Sequence, residues 1–247
     1  MMQKVIQLLQ LAQNRENLNG ILKSKVFSLS AIQNLSSIKR HDPSIRTIID
    51  VGANKGQFAA AAKYFYPDST IYCFEPSKKN YLKLQNCFKD DKKITIFNCG
   101  LGSQNGELEF FEHTFDQINS FLKVTDDNKN PNYKDSISSV SNVQVKKLDD
   151  IKGLEFVHPV LLKLDVQGYE EEVLNGALKS LKHVDYIVIE LPFEKLYENQ
   201  KLFNDMNLIM IELGFYLLAP LGFNSGLEGK IIEIDAFYKN KNDSKNE

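Results

Sequence analysis

The chain has 247 residues, 43% of them hydrophobic and 25% charged, with a net charge of -2 and a pI near 6.1. That is room for one sizeable α/β domain with additions and too little for two full ones. The charge balance offers no basic footprint for a phosphate backbone, and arginine is confined to Arg15, Arg40 and Arg46, so nucleic acid is not an expected partner.

Residues 2 to 40 carry helical periodicity, with Leu8, Leu9, Leu11, Leu18, Ile21 and Leu22 able to form one apolar stripe. Two or three helices are expected there, as an N-terminal helical extension over residues 1 to 44. Gln7 and Gln10 interrupt the first apolar stretch, which therefore reads as an amphipathic helix and not as a signal-peptide core. No run approaches the length of a membrane-spanning helix. Cys73, Cys87 and Cys99 are odd in number and lie in apolar segments, unlike a disulfide framework or a zinc site. A reducing cytoplasm fits them.

From residue 45 to 239 strands and helices alternate in the manner of a parallel sheet. Strands are expected at 47 to 52, 70 to 75, 94 to 99, 160 to 165 and 186 to 191, with helices at 57 to 66, 77 to 88, 169 to 181 and 196 to 213. An extra strand at 107 to 112 and a short one at 143 to 147 flank a polar surface loop over 126 to 142. Residues 215 to 219 and 230 to 239 read as an antiparallel pair that closes the domain. Residues 240 to 247 are polar, without hydrophobic anchors, and are expected to be a disordered tail.

The most telling stretch is TIIDVGANKGQF, from Thr47 to Phe58. An apolar β-branched run ends in an acid and opens into a glycine-bearing turn before an alanine-rich helix, the opening unit of a nucleotide-binding α/β sheet. Gly52 and Gly56 allow positive φ, and Asn54 is the non-glycine type that best tolerates a left-handed conformation. Glu75 lies 23 positions beyond Gly52, at the end of the neighbouring strand. There a carboxylate can accept two hydrogen bonds from a ribose diol, which makes an adenosine-containing cofactor the first expectation; a solvated strand-end Glu is the plain alternative.

Four segments in order, DVGANKGQF from Asp50, FEP from Phe74, NCGLG from Asn98 and LKLDVQGYE from Leu162, resemble the FkbM family of S-adenosylmethionine-dependent methyltransferases. The resemblance covers roughly residues 45 to 220. It implies a Rossmann-like class I methyltransferase fold: α/β, with a mostly parallel seven-stranded sheet and helices on both faces. It also implies S-adenosyl-L-methionine as the donor, held by Asp50, Gly52, Asn54, Gly56, Phe58, Glu75, Pro76, Gly100, Asp165 and Gln167. Asn98 and Leu101 match the positions of adenine contacts, although Leu101 reads equally as core.

Asp50, Glu75, Asp165 and Glu190 all fall at the carboxyl ends of strands, where a doubly wound sheet binds ligands. Asp165 is placed nearest the transferred methyl, as general base, with helix capping as its structural alternative. Lys163 shares a strand face with it and reads as a counter-ion for nearby carboxylates before it reads as a catalytic lysine. Gln167 stands where many sequences resembling this family carry Glu. Glu170 is expected on a helix surface near a favourable dipole end, and Glu190 as site lining. His113, Asp116, Asn119 and Ser120 could cap the acceptor pocket, His113 being a conceivable base if it is not simply exposed. The acids Asp149, Asp150 and Asp165 raise the question of Mg²⁺, but no compact ligand signature assigns a metal.

The expected activity is methylation of a hydroxyl on a sugar, a glycan precursor in polysaccharide biosynthesis, or a secondary metabolite. A nicotinamide dehydrogenase is disfavoured because the turn lacks G-x-G-x-x-G. A non-catalytic cofactor-binding subunit stays open through Gln167. The absence of an Asn/Asp-Pro-Pro-Tyr motif after the fourth core strand disfavours the amino groups of bases as acceptors. A homodimer is left open.

Overall fold

The computed structural model describes residues 28–125, 136–225 and 229–241. Helix α1 (Leu29–His41) leads into β1 (Thr47–Val51), α2 (Gln57–Phe65), β2 (Thr70–Phe74), α3 (Lys78–Phe88) and β3 (Ile94–Phe97). Next come β4 (Gly100–Leu101), β5 (Gly106–His113), β6 (Ile137–Lys146), β7 (Val160–Leu164), the short α4 (Glu170–Asn175) and β8 (Tyr186–Pro192). The last elements are α5 (Phe203–Glu212), β9 (Phe215–Ser225) and β10 (Ile231–Asn240).

The main sheet runs β3-β2-β1-β7-β8-β10-β9. The first five strands are parallel, β10 is antiparallel to β8, and β9 is antiparallel to β10. The period of two along β1 divides the core: Ile48 packs with α1, α2 and α3, while Ile49 and Val51 pack with α4 and α5. Burial on both faces explains why β1 and β7 are apolar after Thr47 except at Asp50 and Lys163, which face each other as lateral partners. Ala59 to Ala62 are all buried, and side chains this small let α2 sit close to both the sheet and α1. Helix α1 starts on Ser28, whose hydroxyl accepts the Ala31 amide, and is tied to the far edge of the sheet: Gln33 donates to the Leu221 carbonyl and Asn34 to Asp235.

The seven-stranded, mostly parallel sheet with helices on both faces is the expected fold. Several elements differ from expectation. The third strand stops at Phe97, and Gly100–Leu101 leaves the main sheet to pair with β6 in a three-stranded sheet ordered β4-β6-β5. Strand β6 begins at Ile137, inside the segment expected to be loop; its side chains are exposed on nearly every position, so no alternation announced it. The remainder of that expected loop, residues 126 to 135, lies outside the described residues, as do the expected helices before residue 28 and the tail from 242.

The single helix expected at 169 to 181 is broken. Helix α4 ends at Asn175 because Gly176 abuts the Gly102 backbone: a Cβ at Gly176 would lie 1.9 Å from the Gly102 carbonyl oxygen. The helix expected from 196 begins only at Phe203, since residues 196 to 200 form a turn in which Gln200 Oε1 accepts the Leu196 and Tyr197 amides. In the closing pair β9 is longer than expected, running to Ser225, while β10 has the expected length, shifted by one residue.

Candidate active site

A cavity of about 570 Å³ runs along the carboxyl edge of the sheet, from Glu75 at the end of β2 past Gly52 and Asp165 to Glu190 and Asp235 on β8 and β10. This size is typical of small-molecule sites.

At its β2 end the turn after β1 makes a cradle of bare backbone. Gly52 takes φ +76° and its amide, with that of Ala53, donates to the Phe74 carbonyl. A Cβ on Gly52 would lie 1.9 Å from the Asp165 carbonyl oxygen, so only glycine lets the turn meet the end of β7. Asn54 follows with φ 50° and donates its side-chain amide to the Asp116 carbonyl, while Lys55 pairs with the Asp116 carboxylate at 2.5 Å. These contacts bind the turn to the segment that covers the cavity. Asn54 Oδ1 is buried without a hydrogen-bond partner.

Glu75 is 4% exposed. Its two oxygens accept the Asn54 amide at 2.8 Å and the Ser77 amide at 2.9 Å, so the carboxylate braces the turn as well as lining the cavity. A carboxylate oxygen has a second lone pair, which leaves each free for a ribose hydroxyl. Burial pushes Glu75 up to about 7 against the pull of those two amides.

At the centre stands a charged group set by strand register. Asp50 on β1 is the lateral partner of Lys163 on β7. The Lys163 ammonium lies 3.2 Å from Asp50 Oδ1 and 3.3 Å from Asp165 Oδ2, donates to the Gly52 carbonyl at 3.2 Å, and sits over the Phe58 ring. Burial alone would favour the neutral amine; the Asp165 and Asp50 carboxylates outweigh it and hold Lys163 protonated, well above its ordinary value. A lysine so held is a cation that orients both carboxylates.

Gln167 completes the arrangement. It takes φ 55°, and its side-chain amide donates to Asp165 Oδ1 at 2.9 Å and to Glu190 Oε2 at 2.8 Å. Its Oε1 accepts the Tyr197 hydroxyl at 2.9 Å, and its backbone carbonyl accepts the Ser120 hydroxyl. Two carboxylates are thus spaced by one neutral donor. A Glu at 167 would add a third acid where the amide now donates. Glu170 is not on a helix surface: it is 5% exposed, and its Oε1 accepts the Val166 and Gly168 amides, bracing the loop that carries Gln167.

An apolar wall faces the cradle. A Cβ on Gly100 would meet the Phe121 ring at 2.5 Å, so the glycine makes room for Phe121, which packs against Phe110 and Tyr169. Leu101 and Pro76 line the cavity here, together with Asn119.

Some expected site residues lie elsewhere. Asn98 donates to the Glu75 and Pro76 carbonyls and supports that turn from behind, away from the cavity lining. Gly56, with φ +91°, is required by packing: its Cβ would strike Leu84 and Phe88 of α3. Asp50 is fully buried beneath the cavity. His113 is buried, not exposed; its Nδ1 is 2.7 Å from the Ser136 hydroxyl, burial lowers its pKa, and it does not line the cavity. Asp149 accepts the Lys179 and Ser180 amides, and Asp150 accepts Asn105, so neither joins Asp165. Among the described residues no group of three or more His, Cys, Asp or Glu side chains is arranged to hold a metal ion.

Sequence reasoning missed Asn34, Phe121, Tyr197, Gly222, Glu233 and Asp235. The carboxylates lie inside the expected closing strand, where i and i+2 share a face, a signal that could have been used. Nothing local in the sequence marks Asn34.

The family description "Methyltransferase FkbM domain" matches residues 50–217. The chain belongs to the FkbM methyltransferase family. It is similar to the 2-O-methyltransferase NoeI of Sinorhizobium fredii, 26% identical over 230 residues that cover 88% of this chain and 90% of that protein. It is also similar to Methyltransferase 1 of Beauveria bassiana, 30% identical over 60% of this chain and 66% of that one. The hexuronic acid methyltransferase AglP of Haloferax volcanii is 25% identical over 58% of this chain and 54% of its own length. Among solved structures, a Pyrococcus horikoshii protein described provisionally as an RNA methyltransferase superposes with a TM-score of 0.52 at 12% identity, over 94% of this chain and 98% of that one. That likeness concerns the fold.

The cavity residues fit an adenosine-bearing donor: a backbone cradle at Gly52, unused lone pairs on Glu75, and the unpartnered Asn54 Oδ1.

Proposed function

We propose that this FkbM methyltransferase transfers a methyl group from S-adenosylmethionine to a hydroxyl of a sugar or glycan precursor. The observation that carries the reading is one continuous cavity with the glycine cradle and Glu75 at one end, Asp165 at its middle, and polar strand-end side chains at the other. NoeI, by its name a 2-O-methyltransferase, agrees on the oxygen, and AglP, by its name a hexuronic acid methyltransferase, agrees on a sugar-derived acceptor.

When bound, S-adenosylmethionine supplies a methyl activated by its sulfonium charge. Methyl transfer of this kind is an in-line displacement, and the protein has to align the acceptor and receive its proton. Glu75 and Asn54 hold the nucleoside end. Asp165 accepts the hydroxyl proton, while Lys163 and Gln167, one on each oxygen, fix the plane of its carboxylate. Phe121 and Leu101 exclude water from the apolar side.

The test is transfer of an isotopically labelled methyl from S-adenosylmethionine to a panel of glycosides, read by mass spectrometry. Labelled ether on a sugar oxygen is expected, and Asp165→Asn should reduce turnover by roughly 10² or more while donor affinity survives. Donor binding with wild-type turnover in that variant would remove Asp165 from the mechanism.

A further inference from the structure

The far half of the cavity has a charge pattern that a neutral hydroxyl alone does not explain. Glu190 on β8 and Glu233 and Asp235 on β10 line it together. Lys163 is the single basic side chain among the described residues lining the cavity, and its ammonium is already shared between Asp50 and Asp165. Burial pushes Glu190, Glu233 and Asp235 above the usual carboxylate range, and nearby negative charge adds to it, from Glu233 first for Glu190 and from Asp165 first for Glu233 and Asp235. Crowded carboxylates of this kind take up protons, or a cation.

A second observation calls for a donor beside these acids, and an ammonium supplies the donor and the charge together. Asn34 on α1 is 5% exposed and lines the same space. Its Nδ2 donates to Asp235 Oδ2 at 3.0 Å, which turns Oδ1 the other way, and that oxygen is buried without a partner. A buried amide oxygen left unpaired is costly, so it awaits a donor. Gly222 opens the floor beneath both groups: a Cβ there would come within 3.2 Å of Asp235 Oδ2 and 3.6 Å of Asn34 Oδ1.

This pocket is not the place for the amino group of the methyl donor. The ribose end is fixed at Glu75 on β2, and Asp235 on β10 is four strand spacings away, roughly 19 Å at ~4.8 Å each. The short chain joining ribose to amino group in S-adenosylmethionine does not span that distance.

Resting on the methyltransferase reading above, we infer that the acceptor carries a protonated amine, seated among Glu190, Glu233, Asp235 and the Asn34 carbonyl, and that uronic acids are excluded. A matched set of methyl glycosides of glucosamine, N-acetylglucosamine and glucuronic acid tests this, by calorimetric binding to the protein saturated with S-adenosylhomocysteine. The amine should bind at least ~10-fold more tightly than its N-acetyl counterpart, and the uronate should not bind. Asp235→Asn and Gly222→Leu should each erase the preference, with S-adenosylhomocysteine affinity reporting that each variant is folded. Equal binding of amine and N-acetyl forms, binding of the uronate, no binding by any of the three, or a preference that survives both variants overturns the inference. Failure of S-adenosylhomocysteine itself to bind would instead sink the donor reading.

Discussion

Glu75 shows how one side chain serves fold and ligand at once. Its carboxylate ties the turn after β1 to the start of α3 through the Asn54 and Ser77 amides, and burial lifts its pKa to about 7. Ribose hydroxyls donating to it favour the ionised form, so donor affinity should strengthen as pH rises through about 7 and level off above. Glu75→Ala should cost about 3 kcal/mol of donor binding and flatten that pH dependence. Calorimetry between pH 5.5 and 8.5 reads both, and a wild-type affinity that does not change with pH removes the ribose assignment. Lys163 gives a second prediction. Lys163→Met leaves Asp50 fully buried with no cation, and should destabilise the protein by ~3–5 kcal/mol in urea unfolding. At this scale the sequence was legible where position follows from the strand: Asp165 and Glu75 stand just beyond β7 and β2, Glu190 lies near the end of β8, and Lys163 sits inside β7 on the face it shares with Asp165. It was not legible where the role depends on which way a side chain turns, as with Asn98, which faces the Glu75 turn, and His113, which faces Ser136.

Elements were legible to the extent that their burial was simple. Strands β1 and β7, buried on both faces, are apolar after Thr47 apart from the paired Asp50 and Lys163; β6, exposed along most of its length, offered no pattern to read. Helix α4 was misjudged because its stop signal is tertiary. Gly176 has ordinary backbone angles, φ -85° and ψ 0°, and is required only because Gly102, just after β4, lies against it. Gly176→Ala should therefore be strongly destabilising even though alanine is the better helix former, since a Cβ at 1.9 Å from a backbone oxygen forces α4 and the three-stranded sheet apart. A loss of ~2 kcal/mol or more in chemical denaturation is the expected result, and unchanged stability would show that the two backbones separate freely. The displaced sheet carries the route to Phe121, so donor affinity should fall in the same variant.

Across the whole molecule, acids gather at the carboxyl edge of the sheet, buried at Glu75 and Glu170 and half-buried at Glu190, Glu233 and Asp235. Glu75 and Glu170 are both lifted to about 7, chiefly by burial, and Glu190, Glu233 and Asp235 are also raised. A carboxyl whose folded pKa exceeds its unfolded one binds its proton more tightly in the native state. Its contribution to stability is complete below the ordinary value near 4.5 and is lost as pH rises through about 7. The ligand-free protein should thus melt at a lower temperature at pH 8 than at pH 5.5, by several degrees, since a kcal/mol is worth roughly 2–4 °C in a chain of this size. Glu170→Gln keeps an acceptor oxygen for the Val166 and Gly168 amides without the ionisation, and should narrow the difference. Saturating S-adenosylhomocysteine should narrow it too, by supplying donors to ionised Glu75. Differential scanning calorimetry at the two pH values decides the matter: equal or higher melting at pH 8 would mean that the edge carboxylates are already solvated, and the cavity would lose the electrostatic character that sets it up to take a cation.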